Sequence, residues 1–309
     1  MPVSSTFAPG EPSDTATLRS VLVRHVRDAW PDTAAIDRGW RGLGYAARPH
    51  RARALVEYDR FVDLLHAAGA EVRLVPRSPA PGRAATGDPQ SPLSLDSLYV
   101  RDAAVVCRRG VIVACMGKPA RAGEPAALEA ALGALGVPVA GRITGTARLE
   151  GGDVVRLAPR IVAVGQGDRT NGEGIRQLAV LLGDEVDEVI PVPLPHWRGP
   201  DDVFHLMSMI SPLDSDLALV YAPLLPVPFR ERLRALGMTL VEVPDAEFET
   251  LGCNALALGP RRCALVAGNA TTRVRLERAG CQVHEFAGAE ICRKGRGGPT
   301  CLTLPLARG

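Results

Sequence analysis

One order of elements recurs along the chain: two strand-like runs, a helix-like run, then another strand-like run, at intervals of roughly 50–65 residues. SLYVRDAAVVCRRGVIVACM reads as two strands turning at Arg109-Gly110, EPAALEAALGALG as a helix stopped by glycine, and VPVA as the following strand. ARLEGGDVVRLAPRIVAVG and NGEGIRQLAVLLG repeat the strand pair and helix. DLALVYAPLLP, FRERLRALG and TLVEVP give strand, helix, strand. NALALGPRRCALVAG, TTRVRLERAG and CQVHEF close the series, and ARALVEYDRFVDLLHAAGA with EVRLVP belongs to an earlier copy. Simple alternation would suggest a doubly wound parallel sheet. The hairpin inside each unit argues instead for a closed ring of ββαβ units around a channel where loops converge.

With 309 residues, 46% of them hydrophobic, the chain can bury a large core, and no linker divides it, so one domain over 1–309 is expected. Residues 1–15 read as a flexible tail, and the Pro/Gly/Ser/Ala-rich 77–94 as a mobile surface loop. The 36 basic and 34 acidic residues nearly cancel, which points away from nucleic acid or a charged membrane surface. No stretch reaches about 20 uninterrupted apolar residues, and MPVSSTFAPGEPSD lacks the form of a secretory signal. The seven cysteines show no framework spacing, so free thiols in a reducing cytoplasm are expected.

Four polar clusters stand at strand ends: Asp96 and Asp102, Glu150 and Asp153, His205, and Cys301. A thiolate, an imidazole and a carboxylate together suit nucleophilic catalysis. Each also has an ordinary reading. His205 among Phe204, Leu206 and Met207 could be a core histidine, Glu150-Gly-Gly-Asp153 an acidic turn, and Arg169 a surface charge. Cys107, Cys115, Cys263 and Cys281 read as small core hydrophobes. None of the spacings is that of a metal site, and no cofactor is expected.

The ordered set YVRD (99–102), EGGD (150–153), GQGDRTN (165–171), FHL (204–206), GCN (252–254) and GRGGPTC (295–301) resembles the guanidine-modifying superfamily. That group includes arginine deiminases, dimethylarginine dimethylaminohydrolases and amidinotransferases. The resemblance implies a five-bladed pseudo-symmetric α/β propeller, the pentein fold. It implies Cys301 as the nucleophile that attacks the guanidinium carbon and forms a thiouronium, and His205 as the acid and then the base. Glu150 would pair with His205, and Asp102 would take a guanidinium N–H edge. Asp96 would meet an α-amino group, with Arg121, Arg169 and Arg296 on the carboxylate and Asp153 a further substrate contact. The glycines before Cys301 would shape backbone around the planar cation.

Met207 stands where arginine deiminases carry an acid two residues past the histidine. An apolar side chain there favours an N-substituted guanidine, because burying an unpaired N–H costs about 1–3 kcal/mol. The expected function is therefore hydrolysis of an N-methylated arginine to citrulline and an amine. The alternatives are amidino transfer to an amine, deimination or dihydrolysis of free arginine, and a silent binding scaffold. The expected partner is a small arginine-like molecule, with a homodimer left open. GWRGLGYAARPH (39–50) is the expected lid.

Overall fold

A computed structural model describes residues 12–75, 93–199, 202 and 204–309. They form five three-stranded sheets of one design. An inner strand pairs antiparallel with a middle strand, which pairs in parallel with an outer strand. The second sheet is β3 (Ala104–Cys107), β4 (Gly110–Val113) and β5 (Val139–Arg142). The third is β6 (Val154–Ala158), β7 (Ile161–Gln166) and β8 (Glu188–Pro193). The fourth is β9 (Ile210–Asp214), β10 (Leu217–Val220) and β11 (Thr239–Glu242), and the fifth is β12 (Leu256–Gly259), β13 (Arg262–Val266) and β14 (Gln282–Phe286). The first sheet joins the chain's two ends: β1 (Leu18–Val23) lies between β2 (Glu71–Leu74) and the C-terminal β15 (Leu304–Arg308). Consecutive sheets touch in a closed cycle, through β15 and β3, the turns at 100–103 and 151–153, β6 and β9, β9 and β12, and β12 and β1.

Parallel neighbours need a crossover, and a helix supplies it in each unit. Helix Arg51–Ala67 buries Ala54, Tyr58, Phe61 and Leu65, which recur at helical spacing, and the sequence expectation holds there. Truncating a ring such as Phe61 would cost about 3–5 kcal/mol. Helix Gly172–Leu182 starts where Asn171 accepts a hydrogen bond from Gly174 N–H, and its Ile175, Leu178 and Leu182 face inward. β4 and β10 are buried on both faces, which explains their unbroken apolar runs.

Sequence patterns did not pick out β8, β9 or β15, and each contains proline (Pro191 and Pro193, Pro212, Pro305). Proline lowers the strand signal, yet inner and outer strands of a three-stranded sheet are edges, where its missing N–H is harmless. The first hairpin turns at Arg108-Arg109, with Gly110 already in β4. The expected mobile segment falls largely in 76–92, outside the described residues, as do 1–11 of the expected tail. Residues 12–15 are described, and Asp14 accepts a hydrogen bond from Arg156 N–H at 2.7 Å. Among the described residues no helix is long and apolar enough to cross a membrane.

Candidate active site

Three of the five inner strands, β3, β6 and β9, closely follow a short helical turn, and the approaches to all five carry the site. Asp102 lies two residues before β3, Asp153 directly before β6, and Met207 in the turn before β9. Asn254 precedes β12 by two residues and Cys301 precedes β15 by three. The ring of sheets thus gathers groups that lie up to two hundred residues apart.

Glu150 and His205 are buried and joined, Nε2 to Oε2, at 2.8 Å. The other oxygen of Glu150 accepts from the backbone N–H groups of Gly117 (2.9 Å) and Lys118 (3.0 Å), which fixes the carboxylate. His205 Nδ1 stands 3.9 Å from Asp102 Oδ1. Burial alone would neutralise His205, but the charges of Asp102 and Asp153 and the bond to Glu150 win, raising its pKa to about 9. Burial likewise opposes a charge on Glu150, yet His205, with Arg121 and Arg169 behind it, holds its pKa down. The resting pair is therefore imidazolium and carboxylate at neutral pH.

Asp102 gives Oδ2 to Arg121 Nη1 at 2.5 Å, whereas Oδ1 is buried without a hydrogen-bond partner. A charged oxygen so placed is costly unless an N–H donor meets it. Ligand atoms of Asp102, Glu150 and His205 lie within 4.8 Å of one another and converge on a space where a cation, organic or metallic, would be held.

Cys301 is half-buried beside this group. Asn254 Nδ2 lies 3.5 Å from its Sγ, and Asn254 is itself fixed because its Oδ1 accepts from Thr300 N–H (3.1 Å) and Oγ1–H (2.7 Å). Burial first, then the Asp102 charge, push the thiol up to about 11. The unliganded site thus holds a neutral thiol, and a bound cation would favour its ionisation. The preceding glycines also meet neighbouring side chains. A Cβ on Gly297 would stand 2.4 Å from the Tyr99 ring, and one on Gly298 would stand 2.3 Å from Asn254 Oδ1. They leave room for Tyr99 and Asn254, and Gly295 and Gly297 also line the polar cavity beside Cys301.

Other expected contacts are already engaged. Asp96 is ion-paired with Lys118 Nζ at 2.8 Å. Arg121 lines the polar cavity and is clamped by Asp102, Glu124 and the carbonyls of Asp96 and Tyr99. Asp153 lies behind the histidine, accepting from Thr170 Oγ1–H (2.6 Å) and Leu206 N–H (2.9 Å). Burial pushes its carboxyl up to about 6. It positions the turn that carries His205 rather than lining the cavity. Arg169 lines the polar cavity and donates to the Asp202 carbonyl at 2.9 Å. Arg296 pairs with Asp202 on the far side of Cys301. Met207 is buried beside His205 and Cys301.

Lys118 escaped the sequence reading. It links Asp96 to the Leu43 carbonyl of segment 39–50, and Ala46 N–H bonds Lys294 O, so the expected lid segment is tied to Lys118, a residue lining the polar cavity. Its only signal was its being one of two lysines in an arginine-rich chain.

The family model for arginine deiminase matches residues 90–228 and 225–308. The arginine deiminase of Mycobacterium avium (strain 104) is 34% identical over 193 residues, which is 53% of this chain and 47% of that protein. That of Rhodococcus erythropolis (strain PR4 / NBRC 100887) is 30% identical over 194 residues, with the same shares. The chain thus spans about half the length of the curated relatives it matches. Among solved structures, DDAH from Pseudomonas aeruginosa complexed with citrulline superposes with a TM-score of 0.72 at 22% identity, covering 93% of this chain and 99% of that one. SxtG, an amidinotransferase from Microseira wollei, gives 0.73 at 20% identity and 96% of each chain. The N-terminal domain of ArgZ, a cyanobacterial arginine dihydrolase, gives 0.74 at 20% identity, with 94% and 98% covered. At these identities the likeness establishes the fold.

Proposed function

The chain belongs to the arginine deiminase family, and on that premise we propose that it hydrolyses the guanidino group of an N-substituted arginine, with N-methylated arginine as the reference substrate. The observation that carries the reading is the free, buried Oδ1 of Asp102, which faces His205 in a cavity also lined by Glu150 and Cys301. A planar cation with N–H donors on its rim satisfies that oxygen and brings its central carbon toward the thiol.

The steps follow from the charges. The bound cation stabilises the Cys301 thiolate, the thiol proton passing to solvent, and the thiolate attacks the guanidinium carbon. The bond to the departing nitrogen breaks as His205 delivers its proton there, and an amine leaves. The covalent product is a thiouronium on Cys301. Neutral His205 then takes a proton from water, the oxygen adds to the same carbon, and the C–S bond breaks. Citrulline remains, the thiolate is restored, and the released amine takes up the surplus proton.

Met207 supports substitution on the departing nitrogen, since a thioether accepts hydrogen bonds only weakly. The test is an assay of purified protein with asymmetric dimethylarginine and with arginine, scoring citrulline and amine. Citrulline from arginine alone would refute the substituted substrate. Ornithine formed only when an acceptor amine is added would make the protein a transferase.

A further inference from the structure

Two cavities meet at the thiol. One is polar, lined by Asp96, Asp102, Lys118, Glu150 and Arg169. The other is walled by Trp197, Phe204, Met207, Phe248 and Leu251. They share His205 and Cys301, and the apolar one is larger, about 660 Å³ against about 350 Å³. We infer that the apolar chamber receives the departing amine, and that this amine carries an aromatic or branched alkyl group larger than methyl. The inference rests on the guanidine-cleaving reading above.

His205 sits on the boundary. The nitrogen it protonates must stand there as well, with the guanidinium edge toward Asp102 and Glu150 on the polar side. Any group on that nitrogen extends past Met207 into the chamber. The far wall is held in place: Phe248 stacks on Tyr221 at 3.9 Å and 14°, and Trp197 meets it edge-on at 6.2 Å and 86°. The charges that line it are paired within the protein, Arg198 with Glu249 and Arg296 with Asp202. The chamber therefore favours apolar surface over a second charged end. A dimethylamine touches a fraction of these walls, whereas a benzyl group spans from Met207 toward Phe248. Each further buried methylene raises kcat/KM by about fourfold.

The experiment compares Nω-benzyl-L-arginine, asymmetric dimethylarginine and arginine on the full chain, scoring citrulline and released amine. The benzyl compound is expected to show kcat/KM at least tenfold above dimethylarginine. Trp197, 40% exposed, can be truncated with little risk to folding, and Trp197→Ala should lower the benzyl-to-dimethyl ratio at least fivefold. Faster turnover of dimethylarginine or arginine overturns the inference while leaving the hydrolase reading intact. A ratio unchanged by Trp197→Ala also overturns it. If no guanidine yields citrulline or amine, both readings fall.

Discussion

His205 and Glu150, 55 positions apart in the chain, meet at 2.8 Å and share one buried charge relationship. Glu150 uses both oxygens, one for the imidazole and one for two backbone N–H groups. A glutamine can keep both contacts only by donating its amide N–H to an unprotonated Nε2, which removes the imidazolium. Glu150→Gln is therefore expected to lose at least about a hundredfold in kcat. It should also bring the His205 pKa down from about 9. A pH–rate profile and an imidazole NMR titration check this together. An unmoved upper limb would mean that Glu150 does not govern the histidine.

The same pair sets a pH window for stability. His205 has a folded pKa raised from 6.5 to about 9, so its contribution is complete below 6.5 and lost as pH rises through 9. Glu150 reports the acid side: its contribution is present above 4.5 and lost as pH falls through about 2. Urea denaturation at pH 6, 8 and 10 should show stability falling toward alkaline pH, by an amount on the order of a few kcal/mol. His205→Gln should flatten that slope. Equal slopes in the two proteins would assign the effect to other groups.

Cys301 should behave as a cation-activated thiol. Its pKa of about 11 in the unliganded site leaves little thiolate at pH 8. Neutral iodoacetamide is expected to alkylate it slowly, with a midpoint above pH 10. A cationic amidine reagent such as 2-chloroacetamidine should label it at least tenfold faster at pH 8, because the cation satisfies Asp102 and stabilises the thiolate. Peptide mapping separates Cys301 from half-buried Cys115. Equal rates for the two reagents would rule out activation by the bound cation.

The repeat was legible where middle strands such as β4 and β10 are buried on both faces and helices such as Arg51–Ala67 and Gly172–Leu182 carry apolar stripes. The prolines that weakened the β8, β9 and β15 signals are harmless at sheet edges, which only the assembled topology reveals. At the site, residue types pointed correctly to a Cys, His and carboxylate cluster, but not to who pairs with whom. Arg121 and Asp153 match family motifs, and both turn out to be held by protein partners. Gly152 illustrates the limit. In sequence it is half of a flexible Gly-Gly; in the fold its Cβ would stand 2.7 Å from both Asp102 Oδ1 and His205 Nδ1. Such close approaches depend on contacts between different sheets, which no local pattern encodes.

Arg121 gives the most direct test of that distinction. It is buried between Asp102 and Glu124, with both carboxylates nearly inaccessible. Burial first, partly offset by Arg121, raises the Glu124 pKa. Arg121→Ala would leave two buried acids without their cation, a loss of about 3–5 kcal/mol. Arg121→Met with Glu124→Gln removes the cation and one of its two acids and should recover part of that stability. It still leaves Asp102 without its clamp, so turnover should stay low while the fold returns. Urea denaturation of both variants beside wild type checks the stabilities, and kcat and KM of the double variant check the rest. A stable Arg121→Ala protein with only a raised KM would instead make this arginine a direct substrate contact.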